Sequence, residues 1–335
     1  MESPARPGWL KPPPPNGPKH TLHIVSGKGG TGKTTIAASL ACALATEGRR
    51  VLVCEVEGRE GISQLFDADP LRGAGERRLV RTPTGGTVHG LSIDPENALM
   101  EYLETFYHLG LAGKALDRFG VVDFATSIAP GLQDVLLTGK VYEVARRLIK
   151  GLPQPYDAVV LDAPPTGRIA KFLNVPEAVA DLAKMGPIRS QADSITALLR
   201  SEHTVVHLVT LLEDMPITET CEAVTDLGPT KIELGAVIAN MATPNTLDHD
   251  QLVRAVQGEL PIMVPGLSEV DNKALAAEFA VDAQRMLDED QRRSRLDELR
   301  LPIVEIDQDP LGIDTAALFG IAARLRDQLS GEVRA

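Results

Sequence analysis

The chain alternates short, nearly unbroken apolar runs with longer stretches in which apolar residues recur at helical spacing. The runs fall at residues 21–26, 51–55, 88–93, 158–162, 204–210, 235–239 and 302–306. Val51-Leu52-Val53, Val159-Val160-Leu161 and Ala236-Val237-Ile238 contain no polar position at all. A strand with one wet face alternates apolar with polar, whereas a strand covered on both faces need not. The pattern predicts an α/β fold: a doubly wound, mostly parallel sheet with helices on both sides. Right-handed crossovers then gather the loops that leave the carboxyl ends of the strands on one rim, where such sheets hold ligands.

Two stretches are too long to be simple crossovers. Residues 95–150 read as an inserted helical subdomain, and five of the chain's twelve aromatic residues lie there between Tyr102 and Phe124, enough to suggest an apolar surface of its own. Residues 245–300 read as a second helical block, anchored by Leu275, Phe279 and Leu296 and charge-rich from Asp288 to Arg300. The last helix places Leu318, Ile321, Ala322, Leu325 and Leu329 on one face. That face is expected to dock on the sheet, because the opposite face mixes Arg324 and Arg326 with Asp327 and is a poor match for a lipid surface. Residues 1–20 carry Pro4, Pro7, Pro12 to Pro15 and Pro18 and are expected to be a disordered tail, leaving 21–335 as the folded domain.

Composition adds exclusions. A net charge of −12 over 335 residues argues against a nucleic-acid surface. No apolar run reaches the ~20 residues needed to span a bilayer, so membrane contact would be indirect. There is no basic-then-apolar leader at the amino terminus, and Cys42, Cys54 and Cys221 are scattered, as expected of a cytoplasmic protein.

The chemistry is concentrated at residues 27–35, Gly27-Lys28-Gly29-Gly30-Thr31-Gly32-Lys33-Thr34-Thr35, which fit the G-x-x-x-x-G-K-[ST] phosphate-binding loop. An apolar strand precedes it and a helical run, Ile36 to Ala45, follows. Such a loop turns successive backbone N–H groups into one concavity, and the next helix adds its free N–H groups and positive dipole end. Lys33 is expected to neutralise the β- and γ-phosphates of ATP and the Thr34 hydroxyl to ligate Mg2+.

Lys28 directly follows the first glycine, a position the generic pattern leaves open. Gly-Lys-Gly-Gly-x-Gly-Lys-[Ser/Thr] resembles the deviant phosphate loop of the ArsA-type ATPases, the arsenite-pump and tail-anchored-protein-targeting proteins, shared with the nitrogenase iron protein and the division-site and partition ATPases. The resemblance implies that Lys28 reaches a partner's nucleotide across a dimer interface, between identical chains or with a paralogous ATPase. Val159-Val160-Leu161-Asp162 then reads as a strand ending in the magnesium-site carboxylate. Ala163-Pro164-Pro165-Thr166-Gly167-Arg168 resembles the family's Asp-Thr-Ala-Pro-Thr-Gly-His switch, in which Asp162, Pro165, Thr166 and Gly167 retain the pattern. In the family's Asp-Pro-Ala-His-x-Leu-Ser-Asp loop the aspartate positions the attacking water. Here Glu57 falls at that aspartate, Gly58 at the proline and Glu60 at the histidine, while Glu55 is expected at the metal shell or on a backbone N–H. Asn240 matches the asparagine that bonds adenine, and Ile306 to Gly312, with Pro310, resembles the loop over the base.

The resemblance also has gaps. Neither an arsenite cysteine cluster nor the zinc-binding C-x-x-C pair is present, so no zinc is expected. The implied protein is a bacterial, magnesium-dependent, dimeric ATPase that handles hydrophobic protein segments or serves an anion or membrane process. The alternative is a slow, nucleotide-gated positioning scaffold like the division-site and partition proteins.

Overall fold

The computed structural model describes residues 21–56, 60–73, 75–93, 139, 143, 156–182, 187–245 and 247–330. The proline-rich tail, Glu57 and Gly58, and nearly all of the 95–150 insert lie outside the described residues.

Seven apolar runs become strands: β1 (Thr21–Gly27), β2 (Arg50–Val56), β4 (Thr87–Ile93), β5 (Ala158–Asp162), β6 (Thr204–Thr210), β7 (Glu233–Ala242) and β8 (Ile303–Asp307). An eighth, β3 (Arg77–Arg81), was not expected. The sheet order is β3-β4-β2-β5-β1-β6-β7-β8, parallel throughout except for β3, which pairs antiparallel with β4 at the edge. β3 reads Arg-Arg-Leu-Val-Arg; among the described residues no strand pairs with its outer side, and charged side chains suit such an edge.

Each face of the sheet is closed by helices. One core holds Val25, Val53, Val160, Val209 and Ile238 beneath α1 (Lys33–Leu44), the short α2 (Gly61–Leu65) and α8 (Thr315–Ser330). Leu318, Ile321, Ala322 and Leu325 are buried there, so the last helix docks as its apolar face predicts. The opposite core gathers Ile24, Leu52, Cys54, Leu161 and Leu208 under α3 (Thr166–Leu182), α4 (Pro187–Leu199) and α5 (Asp214–Leu227). Phe172 of α3 is 1% exposed at its centre. The 245–300 region contains α6 (His249–Val256) and α7 (Glu269–Asp297). α6 opens with a capping box between Asp248 and Gln251. Among the described residues no helix is long and apolar enough to cross a membrane.

This order puts β1 in the middle of the sheet, flanked by β5 and β6. The carboxyl ends of β1, β2, β5, β6 and β7 therefore converge where the chain turns into α1.

Candidate nucleotide site

The loop between β1 and α1 is built to receive an anion. Gly32 precedes α1 at φ +81°, no side chain caps the helix, and its first turn carries no acidic residue. Those N–H groups need an acceptor, and the loop supplies none from its own side chains. A Cβ on Gly32 would lie 2.3 Å from Asn240 Nδ2, so both backbone conformation and space require glycine here. The loop is otherwise folded onto the Lys28 carbonyl, which accepts from Lys33 Nζ at 3.1 Å and Thr31 Oγ1 at 2.9 Å.

Beside it, the two residues expected to hold magnesium meet. Thr34 Oγ1 donates to Asp162 Oδ2 at 2.7 Å across 128 residues of sequence. Asp162 ends β5, adjacent to β1, and is 9% exposed. A hydroxyl and a carboxylate in contact at a buried strand end form a hard-oxygen pair of the kind Mg2+ prefers. The switch segment is tied to the same place by Ser26, whose hydroxyl donates to the Pro164 carbonyl at 2.6 Å. Of its other residues, Thr166 is buried at the start of α3, Pro165 is half-buried and Gly167 is exposed.

Lys28 does not point away from its own chain. Its Nζ lies 2.7 Å from Glu219 Oε1 on α5, and Glu219 Oε2 accepts from Thr166 Oγ1 at 3.4 Å. Glu219 thus joins the phosphate loop to Thr166 of the expected switch segment, a link no local motif announces. Asn240, 4% exposed, donates from Nδ2 to the Thr31 carbonyl at 2.9 Å, so its amide braces the phosphate loop. Pro310 sits exposed in a turn whose Leu311 N–H donates to Asp309 Oδ1 at 2.9 Å. That segment leaves the sheet beside Asn240, because the Gln308 N–H donates to the Ala242 carbonyl at 2.9 Å.

The second loop is held from below. Glu55, 1% exposed near the end of β2, accepts from the N–H groups of Glu60 at 2.5 Å and Ile62 at 2.9 Å. Of the two partners expected for Glu55, the backbone is the one found. Cys42 and Cys54 lie in the two cores rather than on the rim. Cys42 and Cys54 are buried, and burial raises the Cys42 thiol up to about 12 and Cys54 higher still, which leaves both protonated and inert. Among the described residues no three His, Cys, Asp or Glu side chains gather as a metal cage.

Comparison with known proteins places these features in a family. Residues 20–199 match the family of anion-transporting ATPases of the ArsA type. The chain is similar to the ATPase BagA of Mycobacterium tuberculosis, with 46% identity over 316 residues that span 92% of this chain and 93% of that protein. It is 26% identical over 326 residues to an arsenical pump-driving ATPase of Acidiphilium multivorum, covering 89% of this chain and 53% of the relative. A shorter match, 26% over 208 residues, links it to the ATPase GET3B of Arabidopsis thaliana.

Proposed function

The chain belongs to the ArsA-type family of anion-transporting ATPases and is an ATP hydrolase, and on that premise we propose that it works as a nucleotide-gated dimer with a composite, magnesium-dependent site. The observation that carries the magnesium site is the contact between Thr34 Oγ1 and Asp162 Oδ2 beside the uncapped start of α1. When bound there, Mg2+ would neutralise charge on the terminal phosphates of ATP.

This chain's own residues do the rest. The N–H groups from Gly29 to Thr35 cradle the phosphates, and Lys33 leaves the Lys28 carbonyl for them. Glu57 orients the attacking water, whose oxygen bonds to the γ-phosphorus as the bridging oxygen departs with ADP. Asn240 and the turn at Pro310 flank the base. Lys28 acts on the partner's nucleotide, which requires that it let go of Glu219. The same carboxylate touches Thr166, so release of Lys28 and rearrangement of the switch are one event. The partner is a second copy or a paralogue, and the aromatic 95–150 insert is the surface offered to a hydrophobic protein segment. The scaffold reading has less support, since the helix that would lie on a membrane is packed in the core.

Titration of Lys33→Ala with a non-hydrolysable ATP analogue tests the site. Binding should be abolished in a protein with the wild-type melting temperature. Unchanged affinity would remove the phosphate loop from the proposal.

A further inference from the structure

We propose that Glu55 is a positioning residue for ATP hydrolysis: it clamps the backbone N–H groups of Glu60 and Ile62 beside Thr34 and so anchors the carboxyl-terminal end of the segment that carries Glu57. The inference rests on the reading of Glu57 as the water-orienting group.

The geometry begins in the sheet. Glu55 of β2 is in register with Asp162 of β5, on neighbouring parallel strands. Registered residues of such strands leave the sheet on the same face. The face is that of Val53 and Val160, beneath α1, since Cys54 and Leu161 belong to the opposite core. Two carboxylates therefore stand side by side under the start of α1. A buried carboxylate is costly unless its oxygens are satisfied. Both Glu55 oxygens are used within this loop, one on the Glu60 N–H and one on the Ile62 N–H. They are committed to backbone, which rules Glu55 out as the group that turns a water toward phosphate.

The loop they hold is under constraint. Glu60 adopts φ +55°, a left-handed conformation that non-glycine residues avoid, and its N–H is one of the two clamped. Between the clamped groups lies Gly61, where a Cβ would stand 3.0 Å from Thr34 Cγ2 and 3.7 Å from Glu55 Oε2. A side chain at 61 would therefore meet the methyl group of Thr34 and, less closely, the Glu55 carboxylate. The hydroxyl of that same threonine bonds Asp162. Glu55, Gly61, Thr34 and Asp162 form one chain of contacts from the base of the loop to the magnesium pair. A water-orienting group is sensitive to displacements of about 1 Å, so a loosened clamp slows the chemical step without touching the phosphate cradle.

Glu55→Gln keeps the shape of the side chain but turns an NH2 toward a backbone N–H. With Mg2+-ATP as substrate, kcat should fall at least about tenfold while ATP-analogue affinity stays within about threefold, the signature of a group needed in the transition state. Gly61→Ala, whose methyl group would meet Thr34 Cγ2 and displace the backbone that Glu55 holds, should show the same split and serves if Glu55→Gln does not fold. Glu57→Gln is measured beside them. If Glu57→Gln is slow and Glu55→Gln or the folded Gly61→Ala turns over within twofold of wild type, the clamp is overturned and the Glu57 reading stands. A parallel loss of affinity and kcat in Glu55→Gln also overturns it, because Glu55 would then belong to the binding site. A Glu57→Gln protein at the wild-type rate would sink the loop reading itself, and the clamp with it.

Discussion

His23 and His207 face each other across β1 and β6 with Nδ1 and Nε2 3.2 Å apart and rings stacked at 5.4 Å. His207 Nδ1 accepts the Ala236 N–H, so its proton sits on Nε2 and is donated to His23 Nδ1. Burial holds both below the usual histidine range, His207 at about 3 and His23 well below with His207 adding to the effect. The sign follows directly. Each folded value is depressed, so above ~6.5 neither state is protonated and stability is full; as pH falls below that, only the unfolded chain takes up protons and stability drops. Between pH 6.5 and 5 the loss from His207 is about 2 kcal/mol, and His23 adds to it in the same direction. Urea unfolding at pH 7.5 and 5.0 should show it, and an equal midpoint at both would contradict the buried neutral pair. At the same scale, Gly32→Ala should abolish ATP binding, because a methyl group there meets Asn240 and φ +81° is strained. The residues of the phosphate loop were legible in the sequence because a contiguous chain segment makes that site. Glu219 was not, because its meaning lies in a lysine and a threonine that the fold, rather than the local motif, brings to it, and Glu55 was legible only as far as two alternative partners, metal shell or backbone N–H.

Among the elements, the buried strands read clearly and β3 did not. Its three arginines look like a surface loop until the edge position is known, where they are the ordinary dress of an unpaired strand. The 245–300 block was expected to be helical, but its attachment was hidden. α7 grips the sheet with its second half: Glu289 accepts from the N–H and hydroxyl of Thr243 at 3.0 and 2.6 Å. Arg292 reaches Asp214 at 3.1 Å and Arg293 reaches Glu305 at 2.8 Å. The charge run that suggested a solvated face is in part a set of clamps on β7, β8 and the start of α5. Glu289 is 6% exposed, and Glu289→Ala strands the half-buried N–H and hydroxyl of Thr243, which should cost about 1–3 kcal/mol in denaturant unfolding. A change below a few tenths would show that α7 is not needed to hold the end of β7.

For the whole molecule, the doubly wound order collects functional groups from several distant segments: Lys28 and Thr34 after β1, Glu55 in β2, Asp162 in β5, Glu219 after β6 and Asn240 in β7. All of them sit on one rim, and the lysine that would serve a second nucleotide is held by its own chain. The composite dimer is therefore tested by complementation between two variants that both bind ATP. Lys28→Ala should bind ATP but hydrolyse it poorly, and Glu57→Gln should bind it and hydrolyse it on the order of a hundredfold slower. Mixed one to one before nucleotide is added, half of the dimers pair one of each and contain one complete site. The mixture should recover roughly a quarter of the wild-type rate per chain. A mixture no faster than the average of the two variants alone, with both folded and both binding ATP, would contradict a site shared between two copies of this chain.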